Sequence, residues 1–474
     1  MNYQDIDFGE MSAEEELDKN PELIVEGFYD FKGSLSKIIE KQDFLVLGNK
    51  GSGKSIIGEH MKATSGLQSD GTTRFVSKFG MKEFPYKSFT KIIPGDIELE
   101  AKFPIAWQWA LLVQVILSFS ADFGKSTEFS SEFDRAVESL RGLGIIPSTS
   151  LSELARISSN TAFKVRLAQF EISGDSKTKD TTDLLIAQLV SHLKILVSHL
   201  QSENKHFIVI DGLDDQLSEK NNQLLAVASL ISEAGDLNRF FRENLIPMKI
   251  VILCRKDIHS KLPGANKNKM GGYTVNLNWY EDQVEFKKKN IIKLVHHRAK
   301  VAGYSDDIFE SNFQKEYADG KDVYDYLLDN TRYTPRDFLR LLSTIKEFKN
   351  SQLITAAEID KAVKKYSVDY FWPEVEDELD GYFERSEIST LKKALIHFRK
   401  REFFVSDFTI FCNENGYDLR NSKGMFAAMY ECGAISNRVD GLYFSRMRDQ
   451  NDFNEKILIN IHRGALKALA ISSS

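Results

Sequence analysis

Residues 48–55, Gly48-Asn49-Lys50-Gly51-Ser52-Gly53-Lys54-Ser55, satisfy the spacing G-x-x-x-x-G-K-[ST] at every position. An apolar run (FLVL, residues 44–47) precedes them, and Ile56-Ile57-Gly58-Glu59-His60-Met61 can continue as a helix. A glycine-rich turn matching by chance would lack that strand and helix. Glycine lets successive backbone N–H groups converge on an anion with no Cβ in the way. The start of the following helix adds partial positive charge beneath the same point. The expectation is a cradle for the phosphates of ATP, built from Gly48, Asn49, Lys50, Gly51, Ser52, Gly53, Lys54, Ser55 and Ile56. In it Lys54 reaches the β- and γ-phosphates and the Ser55 hydroxyl ligates Mg²⁺.

A second element answers to the first. The run HFIVI (residues 206–210) ends in Asp211, and a carboxylate at the carboxyl end of such a strand is placed to hold Mg²⁺ through water. The metal set expected is therefore Ser55 and Asp211. Many phosphate-loop ATPases carry Glu directly after that Asp to orient the attacking water, and here the position is Gly212. Asp214 and Asp215 are the available substitutes, Asp214 the favoured one; the alternative is a solvated acidic turn that caps the next helix. IVIL (residues 250–253) leads through Cys254 to Arg255, where a cation can sense the γ-phosphate; an ordinary surface arginine is the alternative. In Arg332-Tyr333-Thr334-Pro335-Arg336-Asp337, Pro335 marks a helix start and sets Arg336 on its first turn. From there it can reach over a nucleotide as part of a lid, or it can be a salt-bridged surface residue.

Composition narrows the class. The chain has 474 residues, 42% hydrophobic and 28% charged, a balance that buries a core and excludes a disordered chain. A net charge of −7 supplies no global field toward nucleic acid. Cys254, Cys412 and Cys432 lack metal-ligand spacing and read as reduced thiols of a cytoplasmic protein. Residues 1–17 are acidic and show no export signal. Residues 103–121 (FPIAWQWALLVQVILSFSA) carry no charge, but Gln108, Gln114, Ser118 and Ser120 and the shortness of the run favour a buried helix over a membrane span.

The punctuation divides the chain into a lead-in (1–40), an α/β core (41–280) with a helical insertion at about 78–205, a helical lid (281–375) and a separate small domain (380–474). In the core, short β-rich runs at 44–47, 73–77, 207–210, 250–253 and 273–277 predict five strands of a parallel sheet covered on both faces. The chain shows no internal repeats. In the last part, helices at 387–400, 405–413 and 422–431 precede two short strands, a pattern that suggests a winged helix. Its third helix would be the one to enter a DNA groove, yet Lys423 is its only cation. Residues 381–474 hold 14 Lys or Arg against 11 Asp or Glu, a weak footprint for nucleic acid, so a structural or protein-contact role is favoured over DNA. Lys287-Lys288-Lys289 reads as a solvated helix face.

With these pieces placed, the sequence resembles the AAA+ and STAND branch of P-loop ATPases, whose second motif is an apolar strand followed by D-[GAS]-h-D-E. Asp211-Gly212-Leu213-Asp214-Asp215 departs from it at the last position only. Arg255 is similar to the arginine those families place after the next strand, and Phe28-Tyr29-Asp30-Phe31 lies where they hold the base. The chain is closer still to stand-alone bacterial P-loop ATPases, through residues 28–38, 48–55, 208–215, 255–258, 334–342 and 461–466. The resemblance implies an ASCE-type five-stranded sheet, helical lid and winged-helix-like domain, an ATPase, and a setting in bacterial anti-phage defence. An ATP-hydrolysing switch that assembles with itself and controls a partner predicts homo-oligomers, with Arg239 or Arg242 reaching a neighbour's γ-phosphate. With no repeat array, and about 40 residues before the core, sensor and effector would be partners in trans. Two other outputs stay open: a DNA-remodelling ATPase, and a nucleotide-bound scaffold with little turnover. A small-molecule kinase is more distant, for want of an acceptor motif.

Overall fold

The computed structural model describes residues 2–81, 84–89, 98–145, 151–158, 182–213, 220–263, 271–282, 284–315, 322–440, 442–445 and 452–472. The chain forms two compact units. The sheet unit comprises residues 33–48 and 54–276; the helical unit comprises residues 1–32, 49–53 and 277–474.

Strands of the sheet unit are β1 (Leu45–Gly48), β2 (Gly66–Leu67), β3 (Thr73–Gly80), β4 (Ser126–Thr127), β5 (Leu200–Gln201), β6 (Lys205–Asp211), β7 (Met248–Arg255) and β8 (Thr274–Leu277), the last ending one residue into the other unit. The main sheet has the order β2-β3-β6-β7-β1-β8. β3 with β6, β6 with β7 and β7 with β1 are parallel, and β1, β6 and β7 are buried almost throughout, as runs without polar alternation require. All five expected strands are present. The expectation of a five-stranded, wholly parallel sheet is corrected: β2 adds a sixth strand, antiparallel to β3. Two residues are too few to show a period, and β2 exists because of its turn. Gly71 takes φ +83°, Thr72 O accepts from Gln68 N, and Asp70 accepts from Thr72 N.

Around the sheet lie α1 (Lys54–Ala63), α2 (Leu99–Ser120), α3 (Thr182–Ser198) and α4 (Lys220–Glu243). Among the described residues α2 is the one helix long and apolar enough to cross a membrane, and 72% of its most apolar stretch is buried inside the protein. It packs against α3, α4 and β6, as the buried-helix reading expects. Several of its polar groups have partners. Gln108 bonds Glu233 at 2.5 Å, Ser118 bonds the buried His206 ring at 2.8 Å, and Trp107 donates to Ala226 O at 2.9 Å.

In the helical unit the first residues are tied down. Tyr3 is buried and donates to Leu342 O at 2.9 Å, and Glu16 forms a buried pair with Arg298 at 2.8 Å. The helices that follow include α5 (Asn290–Val301), α6 (Pro335–Lys346), α7 (Ala356–Tyr366) and α8 (Trp372–Asp380), the last two joined by a π turn, Ser367–Phe371. Beyond them come α9 (Arg385–Phe398), β9 (Glu402–Phe403), α10 (Val405–Glu414), α11 (Ser422–Glu431), β10 (Ile435–Val439), β11 (Leu442–Phe444), β12 (Leu458–Ile461) and α12 (Arg463–Ala468). The four strands form an antiparallel sheet in the order β11-β10-β12-β9, with Phe398, Phe403, Phe408 and Phe426 packed beside it.

Candidate functional site

The sheet order sets the carboxyl ends of β6, β7 and β1 side by side, so Asp211, Arg255 and Gly48 share one edge; in register, Arg255 lies opposite Gly48. Ligands of open α/β sheets bind beyond such an edge. Gly51 and Gly53 adopt φ of +79° and +93°, values that a side chain would strain. Lys54 is buried at the first position of α1 and donates from Nζ to Gly48 O at 3.0 Å, spanning the loop's two ends. Ser55 and Ile56 follow on the same turn, both half-buried.

Asp211 is buried at the end of β6, where Oδ1 accepts from Gly212 N at 2.9 Å. Its other oxygen lies 3.3 Å from Lys78 Nζ, and Lys78 also bonds Glu59 on α1 at 2.7 Å. The three side chains are each less than a tenth exposed. Burial on its own would lower the Lys78 pKa, but Asp211 and Glu59 outweigh it and raise it, so the ammonium stays charged. Sequence reading missed Lys78 and Glu59: in the chain Lys78 is one cation at the end of an apolar strand, with Asp211 far downstream.

Arg255 carries a two-point pair to Asp257, Nε to Oδ1 and a terminal nitrogen to Oδ2, both at 2.9 Å. Burial pushes the Asp257 carboxyl up, while Arg255 first and then Lys261 and Lys54 hold it below its ordinary value. Arg239 and Arg242 lie exposed on α4. Asp214 and Asp215 lie outside the described residues.

The middle of the loop, residues 49–53, belongs to the helical unit and is gripped there. Thr334 caps α6 by accepting from Asp337 N, and Pro335 takes the first helical position, as the sequence implied. Arg336 N then donates to Gly51 O at 3.3 Å. A Cβ on Gly51 would stand 3.1 Å from Thr334 Oγ1 and 3.2 Å from Arg336 Nε. Trp279, just after β8, donates from its indole to Ser52 O at 2.9 Å and meets Phe31 in a tilted ring contact at 4.2 Å; Tyr29 lies 6.3 Å from the same ring. Of residues 28–31, Tyr29 and Phe31 thus neighbour the loop's support.

Beneath α6, Arg332 and Asp337 are fully buried and paired through two bonds at 2.7 and 2.9 Å, with Tyr370 donating to Asp337 at 2.9 Å. Burial alone would raise the Asp337 carboxyl; Arg332 holds it far below the usual range. Glu374 on α8 accepts from Lys50 at 3.1 Å and Arg336 at 3.2 Å, and lies 3.7 Å from Arg332.

These residues suit a nucleotide phosphate and a hard cation. Ser52 Oγ and Arg336 Nε are buried without a hydrogen-bond partner among the described residues, both donors at the loop. Ser55 and Asp211 offer the oxygen donors that Mg²⁺ takes. No group of three or more His, Cys, Asp or Glu able to cage a metal occurs among the described residues, and Mg²⁺ shared with phosphates requires none.

Residues 289–371 match the family described as the FunZ-associated C-terminal helical domain, a stretch that begins just before α5 and ends with the π turn. No curated protein matches the chain. Among solved structures, Cdc6p from Pyrobaculum aerophilum is similar at 12% identity over 98% of this chain and 95% of that chain, with a TM-score of 0.33, a likeness too distant to carry an argument. The mostly parallel sheet, its strand order and the loop after β1 are those of a P-loop NTPase fold.

Proposed function

We propose that this chain binds ATP with Mg²⁺ on residues 48–56 and hydrolyses it as a switch of the AAA+/STAND type, assembling with copies of itself to control an effector on another chain. The observation that carries the reading is the shared edge of Gly48, Arg255 and Asp211, at the carboxyl ends of three adjoining strands. Backbone N–H groups of the loop and Lys54 Nζ bind the phosphates. Ser55 and Asp211 would hold Mg²⁺, which would supply neutralisation of the phosphate charge. Arg255 and Arg336 balance charge on the transferred group. Asp214 or Asp215 orients the attacking water. The anti-phage setting rests on the motif resemblance alone.

The elements α9, β9, α10, α11, β10 and β11 support the winged-helix reading of residues 380–474. They lend less support to DNA binding, because Lys423, the only cation on α11, is paired with Glu455 at 2.7 Å. A protein-contact role for this domain is the one we favour.

ATP turnover and native mass are the test, measured with and without DNA beside Lys54→Ala and Asp211→Ala. Turnover lost in both variants and indifferent to DNA supports the switch. Turnover untouched by Lys54→Ala would sink the reading. Stimulation by DNA, with salt-sensitive binding, would shift it to a remodelling ATPase. Tight ATP retention without phosphate release would favour a scaffold.

A further inference from the structure

We infer that Glu374 is a built-in competitor for the nucleotide's phosphates, whose displacement by ATP passes the state of the loop to the C-terminal domain. The inference rests on the ATP-binding reading above and adds a regulatory contact to it.

The geometry lies wholly within the helical unit. One carboxylate oxygen, Glu374 Oε2, stands 3.1 Å from Lys50 Nζ, 3.2 Å from the Arg336 guanidinium and 3.7 Å from that of Arg332. Lys50 is the third residue of the phosphate loop. Arg336 is fastened to the same loop through its backbone N–H on Gly51 O. Two cations poised at a phosphate-binding loop are therefore held by one side chain that carries the charge of a phosphate oxygen. The carboxylate is largely buried, with about a tenth of its side chain exposed, so water screens these contacts little.

Arg332 differs from the other two. Asp337 already pairs with it through two short bonds, so it stays in place when Glu374 leaves. Lys50 and Arg336 have no such second carboxylate within salt-bridge distance among the described residues. Each can turn to a triphosphate, which offers them more negative charge than one carboxylate does. Glu374, left with Arg332 alone at 3.7 Å, would then face an arriving anion, and like charge drives it off.

Its departure moves more than a side chain. Glu374 is on the first turn of α8, directly after the π turn, an irregularity that often marks functional sites. α8 packs against α11 and α12, both beyond the lid. The ring of Phe371 in the π turn stacks on His462 at 4.8 Å, and a Cβ on Gly464 would meet that ring at 2.8 Å. The packing is too close to absorb a shift of α8 locally. Release of Glu374 is thus felt in the domain that we assign to partner contact.

The test uses the full chain, with ATP and Mg²⁺ as the probe. Glu374→Gln keeps the shape and removes the charge, and it should bind ATP about tenfold more tightly than the wild type, a difference of about 1.4 kcal/mol. Adenosine, which has no phosphate, should bind both alike. In the wild type, saturating ATP should speed amide hydrogen exchange in residues 373–380, a readout that needs no variant. Equal or weaker ATP binding by a folded Glu374→Gln would overturn the inference. So would unchanged or slower exchange in residues 373–380 of the wild type, even if the variant failed to fold. In either case wild-type ATP binding that is lost in Lys54→Ala would leave the proposed function standing. A wild type that binds no ATP would sink both.

Discussion

Replacing Lys78 with Met tests the charge arrangement around Asp211 most directly. The ammonium stands 2.7 Å from Glu59 and 3.3 Å from Asp211, and all three groups are nearly out of contact with water. At an effective dielectric of about 20, each contact contributes roughly 5–6 kcal/mol of attraction, most of it offset by desolvation. Removing the cation alone leaves two buried carboxylates facing each other, a change that costs about 3–5 kcal/mol. At about 2–4 °C per kcal/mol, Tm should fall by roughly 6–20 °C at pH 8. In the wild type the Lys78 pKa is raised, so its contribution is complete below about pH 10 and lost only as pH rises through the folded value. In the variant two buried carboxylates face each other, and protonation relieves that repulsion, so the penalty is full at neutral pH and shrinks as pH falls. Differential scanning fluorimetry should show the gap between variant and wild type narrowing from pH 8 to pH 5.5. Mg²⁺ should stabilise the variant more than the wild type, because a cation beside Asp211 then relieves an uncompensated charge. A gap under 2 °C at pH 8, or one that pH leaves unchanged, would refute the reasoning.

Asp337→Asn leaves the Arg332 guanidinium buried with only Glu378 and Glu374 at 3.4 and 3.7 Å, so urea unfolding followed by circular dichroism should show a loss of about 3 kcal/mol or more. His462 is half-buried, and desolvation pushes its pKa down to about 4, so wild-type stability should drop as pH falls from about 6.5 to about 4, by up to about 3 kcal/mol. His462→Gln should lack that part of the pH dependence, read from urea midpoints across the range. Gly51→Ala should weaken ATP binding at least tenfold and lower Tm by more than Gly53→Ala. Both residues take a positive φ, at about 1–2 kcal/mol for a side chain, but only the Cβ on Gly51 meets Thr334 and Arg336.

Much of the site could be read along the chain because its requirements are local. Phosphate binding by backbone N–H groups needs glycine at fixed offsets, and the helix that follows must start at Lys54, so residues 48–55 declare themselves. Pro335 likewise announced the start of α6, since its fixed φ suits the first helical position. The apolar runs ending at Asp211 and Arg255 announced β6 and β7, because strands covered on both faces have no polar side to confuse the reading. β2 stayed hidden, being too short to have a period.

The partners of these residues were another matter. Whether Lys78 meets Asp211 depends on β3 lying beside β6 in one register, and that pairing joins segments separated by the whole helical insertion. Trp279 beneath Ser52, and Glu374 beside Lys50 and Arg336, likewise join residues far apart in the chain. The sequence by itself determined that a glycine loop after a strand, a strand-end aspartate and a helix starting at Pro335 exist, because backbone geometry and capping are short-range. Only the tertiary structure decided which charges neutralise them, because a buried charge takes whatever counter-charge the packing brings within about 4 Å, and chain order does not record that distance.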